Sequence, residues 1–183
     1  MHLVLRGGRM VRCPTTTTKG RDLMADARRE PQLVSIHLTP AAGEPAHHVD
    51  SVTAVAGSGL EGDRYFVTPA GSRDPRTCDV TLIEIEALEA VARDLDTTIA
   101  PGDTRRNLVT CGVPLNHLVG ATFQVGSVVL RGNALSEPCS HLAGLTYPEI
   151  RDHLAHRAGL EATILEGGEL RPGDPITYER SYR

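Results

Sequence analysis

The sequence predicts a mainly β domain, a barrel or a sandwich, with two helices on its outside. Short runs of β-forming residues alternate with glycine and proline turns along most of the chain, and helical periodicity occurs in only two segments. Apolar residues make up 40% of the 183 residues, which is enough to form a core. Because aromatic residues make up only 3%, that core must consist mainly of aliphatic side chains.

The predicted strands are short segments in which β-branched and aliphatic residues cluster or alternate between turn residues. In chain order they are 34–38, 49–55, 108–110, 122–125, 128–131, 162–166 and 176–178. Gly126-Ser127 lies between two of these segments and predicts a tight hairpin. Gly167-Gly168 predicts a turn between the last two strands.

Two segments are predicted to be helices. Residues 82–95 contain one apolar stripe at helical spacing, and residues 147–158 are followed by Gly159, which suits a helix C-terminus. Each segment also begins with a predicted capping box, in which a threonine and a glutamate satisfy free backbone N–H groups. These pairs are Thr81 with Glu84 and Thr146 with Glu149.

The first 31 residues differ in composition from the rest of the chain. No acidic residue occurs up to Arg21, whereas arginines are frequent. We predict a flexible N-terminal extension over residues 1–31, or a start at Met10 or Met24. A targeting segment is the alternative, because transit peptides are rich in arginine and poor in acidic residues. Residues 32–180 are predicted to form one domain.

Composition excludes several classes of function. The net charge of −4 and the pI of about 6.0 argue against a nucleic-acid or membrane partner, and no apolar stretch is long enough to cross a membrane. The only lysine, Lys19, lies in the extension, which argues against covalently bound pyridoxal phosphate. The four cysteines form no C-x-x-C pair, which favours a reducing cytoplasm with free thiols.

The first candidate motif is a turn with two glycines that ends in Asp63-Arg64. Gly62 would allow a ligand to approach the backbone closely, and Asp63 could hold Arg64 in position. Taken alone, the motif is typical of an ordinary turn after a strand.

The second candidate motif is Arg105-Arg106-Asn107, which follows the turn at Pro101-Gly102. Adjacent residues of an extended chain face opposite ways, so one arginine could contact a ligand while the other braces the fold. Arginine and asparagine together suit a phosphate or a planar polar ligand. By itself, however, the motif is also typical of a solvated charged turn.

The third candidate motif is Glu137-Pro138-Cys139-Ser140-His141, which is predicted to lie in a loop. Nearby arginines and His141 would lower the pKa of the Cys139 thiol, and a thiolate is a soft ligand for transition metals. A lone cysteine is more often a buried structural residue. His153 and His156 are spaced for metal binding on a helix, but no third ligand is evident, so we predict surface positions.

In this order, the three motifs resemble those of the MOSC domain family, the C-terminal domain of molybdenum-cofactor sulfurases. The resemblance extends over residues 32–178 and includes 80–83 before a helix, the hairpin at Gly126, and Pro172-Gly173-Asp174 near the end. It implies a closed β-barrel, similar to that of pyruvate kinase, with peripheral helices. The chain would then be a free-standing, single-domain member of the family.

The resemblance also implies a site. Cys139 would be the molybdenum ligand or a persulfide-bearing thiol, and His141 would supply a nearby imidazole. Tyr65 departs from the histidine that relatives often carry at that position, which puts a histidine-assisted role there in doubt. The residues expected to hold the molybdenum–pterin cofactor are Gly62, Asp63, Arg64, Arg105, Arg106 and Asn107.

Three functions remain open from the sequence. The first is a molybdenum-dependent oxidoreductase that reduces N-hydroxylated compounds and takes electrons from a partner protein, since no flavin, haem or iron–sulfur motif is visible. The second is a sulfur carrier or cofactor-handling protein, in which Cys139 receives a persulfide from a partner desulfurase. The third is a non-enzymatic module that binds a small anion.

Overall fold

The computed structural model describes residues 29–67, 78–138 and 149–179. Two helices, α1 (Ile85–Asp94) and α2 (Ile150–Leu154), and two 3₁₀ turns, Pro101–Thr104 and Leu115–Leu118, accompany the strands. The strands are β1 (Gln32–Leu38), β2 (His47–Val49), β3 (Val52–Val55), β4 (Gly59–Leu60), β5 (Val80–Glu84), β6 (Leu108–Cys111), β7 (Thr122–Val125), β8 (Val128–Leu135), β9 (Leu160–Glu166), β10 (Gly168–Leu170) and β11 (Ile176–Tyr178).

The strands form two sheets. The larger has eight strands in the order β11-β7-β8-β9-β5-β6-β1-β2, and the smaller has three in the order β10-β3-β4. β5 and β6 run parallel, so the chain between them must cross over, and it does so through α1 and the Pro101–Thr104 turn. The starts of β5 and β6 and the end of β1 therefore lie side by side.

The chain just before β11, which is one edge strand of the large sheet, approaches the start of β1 near the opposite edge. Gln32 forms an isolated antiparallel bridge with Pro175, and the Leu33 N–H donates to the Asp174 carbonyl over 2.9 Å. The Ile176 N–H donates to the Pro31 carbonyl over 2.9 Å. These contacts are not a continuous ladder. The prediction of a mainly β fold with two helices is therefore confirmed, and the closed barrel stays a prediction.

The aliphatic core has two parts, which lie on opposite faces of the large sheet. Leu108 belongs to the larger cluster, whereas Val109, the next residue of β6, packs with α1 and α2. Successive side chains of a strand point to opposite faces, so β6 is buried on both sides. Burying one such aliphatic side chain contributes about 1.5–3 kcal/mol, so this strand is a rigid base for the residues that precede it.

The predicted start of the first helix is wrong. Thr81 and Glu84 lie in β5, and α1 begins at Ile85 with no side-chain cap. The Thr81 hydroxyl instead donates to Asn107, and Glu84 accepts the Leu115 N–H. Pairing of this segment with both β6 and β9 outweighs the local capping signal.

The second helix is shorter than predicted and also lacks a side-chain cap at Glu149, while Thr146 lies outside the described residues. Gly159 does not end this helix. It has φ +115°, and a Cβ there would collide with the Leu82 carbonyl, so a glycine is needed where β9 approaches β5.

No helix in the described ranges is long and apolar enough to cross a membrane.

The predicted strands are otherwise found, with two differences. The segment 49–55 is divided between β2 and β3, which belong to different sheets. Gly168 begins β10 rather than forming only a turn, because it pairs with Ala54 of β3. The hairpin at Gly126-Ser127 is confirmed, with Val125 opposite Val128.

Candidate functional site

Asn107 connects three segments at the start of β6. Its Oδ1 accepts hydrogen bonds from the Thr81 N–H over 3.1 Å and from the Thr81 hydroxyl over 2.9 Å. Its Nδ2 donates to the His37 carbonyl over 3.3 Å and to Asp63 Oδ2 over 3.1 Å. These four bonds use the full capacity of the amide. The Asn107 side chain therefore holds β1, β5 and the Gly62–Asp63 turn together.

The turn that contains Gly62 and Asp63 is fastened to the end of β1. Asp63 Oδ2 also accepts the Thr39 N–H over 3.1 Å, and Oδ1 accepts the Tyr65 N–H over 3.0 Å. The Arg64 N–H donates to the Thr39 carbonyl over 2.8 Å. Gly62 has φ +85°, a conformation that favours glycine. The turn is thus held rigidly in the same network as Asn107.

The Arg64 side chain lies on Tyr65. Its Nη2 donates to the Tyr65 hydroxyl over 2.7 Å, and the guanidinium carbon is 4.4 Å from the ring centroid, a cation–π contact. Tyr65 is 52% exposed. Tyr65, rather than the predicted Asp63, is therefore the side chain that contacts the Arg64 guanidinium.

Arg105 combines a strained backbone with an unsatisfied guanidinium. It follows the Pro101–Thr104 turn with φ 57°, in the left-handed region. Its Nη1 donates to the Glu44 carbonyl over 2.8 Å, while Nη2 is buried and has no hydrogen-bond partner among the described residues. The left-handed backbone costs about 1–2 kcal/mol, and an unpaired buried donor costs about 1–3 kcal/mol. Such costs at one residue point to a ligand-binding role.

Arg106, the next residue, has different partners. Its Nε donates to the Ala158 carbonyl and its Nη2 to the Ser136 carbonyl, each over 2.9 Å. These bonds connect the start of β6 to the end of β8 and to the chain before β9. Arg106 thus braces the fold, whereas Arg105 carries a donor without a partner among the described residues. Ligand contact by one of the two arginines stays a prediction.

Cys139 and His141 lie outside the described residues, but the chain that leads to them is well fixed. The Ser136 N–H donates to the Gly159 carbonyl over 2.8 Å. Glu137 accepts a backbone and a side-chain hydrogen bond from His156, which lower the pKa of its carboxyl group. Through Ser136, Arg106 joins the arginine motif to the segment that continues to Cys139.

His37 is a buried residue that the sequence motifs did not reveal. Its Nε2 is 3.0 Å from the Ser35 hydroxyl, and its ring meets that of His48 edge-on at 5.7 Å. Burial, followed by the charges of His48 and His47, lowers the pKa of His37 to about 4. His37 is therefore neutral at pH 7. A Cβ at Gly102 would lie 3.2 Å from its Nδ1, so the ring packs under the turn that leads to Arg105.

The remaining candidate ligands do not converge. Within the described ranges, no group of three or more His, Cys, Asp or Glu side chains is arranged to hold a metal ion. His153 and His156 lie beside different carboxylates, Asp94 at 3.8 Å and Glu137 at 2.9 Å. Cys111 is buried as expected but is disulfide-bonded, so the expectation of a free thiol is wrong there.

An open surface cleft of about 620 Å³ lies beside β7 and β11. Thr122, Gln124 and Tyr178 are among the residues that line it. Its lining includes none of the predicted site residues, so this cleft is separate from the network around Arg105.

The family of the chain follows from comparison with known proteins. The sequence profile of the MOSC domain matches residues 75–177, which is more than half of the chain. The chain therefore belongs to the MOSC domain family. No curated protein matches the sequence.

Solved structures show the same fold. The YuaD protein from Bacillus subtilis has a TM-score of 0.68 at 16% identity, covering 81% of this chain and 97% of its own. YiiM from Geobacillus stearothermophilus has a TM-score of 0.64 at 17% identity, covering 82% and 75%. YiiM from Escherichia coli has a TM-score of 0.60 at 18% identity, covering 82% and 71%. At these identities the likeness shows the fold alone.

Proposed function

We propose that this chain binds a molybdenum–pterin cofactor and reduces N-hydroxylated substrates, with Cys139 as the thiolate ligand of molybdenum. The observation that carries the proposal is the buried Nη2 of Arg105, which has no hydrogen-bond partner within the described ranges. Membership of the MOSC family associates the chain with this cofactor, and the order of the three motifs supports the assignment of the residues.

The residues around Arg105 fit an anionic group. A guanidinium binds phosphate through two parallel N–H groups, and here one nitrogen is fixed by the Glu44 carbonyl while the other is unpaired. The donor is thus held in place before a ligand arrives, which reduces the ordering cost of binding. Arg105 would hold the phosphate of the cofactor, and the surface guanidinium of Arg64 would supply a second positive charge.

The other predicted site residues would act by holding the site in shape. Asp63 and Asn107 use their polar atoms within the network and fix the Gly62 turn beside β1. Arg106 fixes the chain that leads to Cys139. His141 would place an imidazole beside that thiolate. We also propose that the bonds near Gln32 and Pro175 belong to a closed barrel. A cytoplasmic location stays a prediction, which the disulfide-bonded Cys111 does not support.

When bound, the cofactor would supply a two-electron redox centre for the reduction of the substrate. Reduction of an N-hydroxyl group uses two electrons and two protons and releases water. The residues of this chain would bind and orient the cofactor, while a partner protein would deliver the electrons.

A turnover assay tests the proposal. Protein from a cofactor-producing host would receive an amidoxime or a hydroxylamino-purine and a chemical reductant, and the amino product would be measured. We expect product from the wild type and from Cys78→Ala, the matched control cysteine, and none from Cys139→Ala. Equal turnover by Cys139→Ala and the wild type would refute the role of Cys139.

The same preparations separate the second function. If no product forms, persulfide labelling of the wild type after exposure to a cysteine desulfurase tests for sulfur loading. A label at Cys139 would replace the reductase proposal with the sulfur-carrier function. If neither product nor label is found, a non-enzymatic anion-binding role would remain.

A further inference from the structure

His37 contacts the chain on both sides of Arg105. Its N–H donates to the Asn107 carbonyl over 2.7 Å, and its own carbonyl accepts Asn107 Nδ2 over 3.3 Å. On the other side of Arg105, a Cβ placed on Gly102 would lie only 3.2 Å from His37 Nδ1. One residue of β1 therefore supports both ends of residues 102–107, which we call the arginine segment.

The ring of His37 is itself fixed in orientation. Its Nε2 lies 3.0 Å from the Ser35 hydroxyl, and the ring of His48 meets it edge-on at 5.7 Å. His37 and His48 stand opposite each other in the pairing of β1 with β2, and His37 is buried. Because Nε2 lies at Ser35, the ring meets Gly102 with its Nδ1 edge.

The arginine segment needs support from outside because its backbone is strained. Arg105 has φ 57°, and its N–H donates to the Gly102 carbonyl over 3.1 Å, which closes the turn. A residue with a side chain persists in the left-handed region only where its surroundings enforce that conformation. Within the turn, the Thr104 hydroxyl donates to the Pro101 carbonyl over 2.8 Å. From outside the turn, His37 supports the backbone on both sides of Arg105.

The Arg105 side chain is held by the same hairpin of β1 and β2. Its Nη1 donates over 2.8 Å to the carbonyl of Glu44, which lies in the loop between the two strands. The carbonyl of Ala46, from the same loop, would lie 3.4 Å from a Cβ on Gly102. The hairpin thus fixes the backbone and one nitrogen of Arg105. The other nitrogen, Nη2, is buried and has no hydrogen-bond partner in the part of the chain that the structure describes.

We propose that His37 is a positioning residue for Arg105, whose ring and backbone fix the arginine segment so that Nη2 is in place before an anion binds. The role of Arg105 in anion binding rests on the proposed function, whereas the contacts of His37 rest on the geometry. His37 itself touches no ligand. A donor that is held in place beforehand lowers the ordering cost of binding. Affinity for the anion, and not stability alone, should therefore depend on His37.

The test measures the binding of inorganic phosphate to the metal-free full chain by titration calorimetry. Arg105→Gln shows whether the phosphate binds at this site. His37→Ala removes the ring, and His37→Asn keeps a polar atom near the position of Nδ1. The matched control is Ile36→Ala, because Ile36 is the buried neighbour of His37 in β1 and its side chain packs in the larger core cluster, on the opposite face of the strand.

The expected result separates affinity from stability. The Kd for phosphate should rise about threefold to tenfold in His37→Ala, as for the loss of one preordered side chain, and stay within about twofold of the wild type in His37→Asn. Ile36→Ala should lower the thermal midpoint, because it leaves a cavity in the core, but its Kd should not change.

A second substitution tests the contact with the turn. Gly102 lies outside the left-handed region, so an alanine fits its backbone, but the new Cβ would press on the His37 ring. Gly102→Ala should weaken phosphate binding in the wild type and have little further effect together with His37→Ala. Wild-type affinity in Gly102→Ala, or additive losses in the double variant, would overturn the contact. Gly102→Ala also provides the test if His37→Ala does not fold.

The positioning role and the proposed function fail separately. Unchanged Kd in His37→Ala, or equal weakening in His37→Asn or Ile36→Ala, would overturn His37 as a positioning residue. A wild type that binds no phosphate, or Arg105→Gln with unchanged Kd, would refute the anion site of the proposed function. Hydrogen exchange of the Arg105 N–H would then still decide the positioning role. Faster exchange in His37→Ala than in Ile36→Ala is expected, and equal exchange would overturn it.

Discussion

Arg105 and Arg106 are adjacent in sequence, yet replacing each with glutamine should affect different properties, anion binding for Arg105 and stability for Arg106. Arg106→Gln should destabilise the fold, because Arg106 donates to two backbone carbonyls from a half-buried position. Arg105→Gln should leave stability nearly unchanged and weaken anion binding, because Arg105 makes one exposed bond and holds one unpaired donor.

The expected change in the free energy of unfolding follows from the hydrogen bonds that each substitution removes. A hydrogen bond from a charged donor contributes about 1.5–3 kcal/mol, and a glutamine at 106 can replace one of the two at most. Because part of the side chain is exposed to solvent, we expect a loss of about 2–3 kcal/mol for Arg106→Gln. Arg105→Gln loses one exposed bond but also removes an unsatisfied buried nitrogen, so a change within about 1 kcal/mol is expected.

Urea unfolding of metal-free protein measures both values. With a slope of about 2 kcal/mol per molar, Arg106→Gln should lower the midpoint by about 1–1.5 M, and Arg105→Gln by less than about 0.5 M. Equal loss of stability in the two variants would refute the division of roles. So would retention of cofactor by Arg105→Gln at the wild-type level.

Three further predictions concern stability. Burial holds the pKa of His37 at about 4, so the folded state disfavours its protonation. The free energy of unfolding should therefore fall by up to about 3 kcal/mol as the pH drops from above 6.5 to 4. His37→Gln should flatten this part of the curve, measured by urea unfolding across pH. An unaltered curve would contradict the assignment of this loss to His37. Asn107→Ala should lower the free energy of unfolding by about 3 kcal/mol in the same assay, because it removes four hydrogen bonds, and a loss below about 1 kcal/mol would contradict the network. Gly159→Ala should lower the free energy of unfolding by more than about 3 kcal/mol or prevent folding. Soluble yield and thermal unfolding would show this, and wild-type stability of the variant would contradict the close approach of β9 to β5.

Local signals predicted the parts of the fold that depend on neighbouring residues. The hairpin of β7 and β8 follows from Gly126-Ser127 between two β-forming runs, and the structure has it in that register. Thr81 and Glu84 carried an equally clear local signal for a helix start. There the signal failed, because Thr81 bonds to Asn107, just before β6, and Glu84 accepts the N–H of Leu115 in the second 3₁₀ turn.

Local sequence signals were also insufficient to predict the contacts of the candidate site. Alternation along an extended chain suggested different roles for Arg105 and Arg106, but Arg105 has φ 57°, so the backbone is not extended there and a left-handed turn separates the two side chains. The role of Asn107 could not be predicted, since its partner His37 is 70 residues away in sequence. The pKa of His37 depends on burial by strands that are distant along the chain, and Glu137 meets His156 across the segment that contains Cys139. Such contacts require the three-dimensional fold.

Elemental analysis tests the central claim most directly. Wild type, Cys139→Ala, Arg105→Gln and the control Cys78→Ala would be purified from a cofactor-producing host, and molybdenum would be measured per chain. The account predicts about one molybdenum per chain in the wild type and the control, little in Arg105→Gln, and none in Cys139→Ala. Wild-type protein without molybdenum, or Cys139→Ala with a full complement, would contradict it.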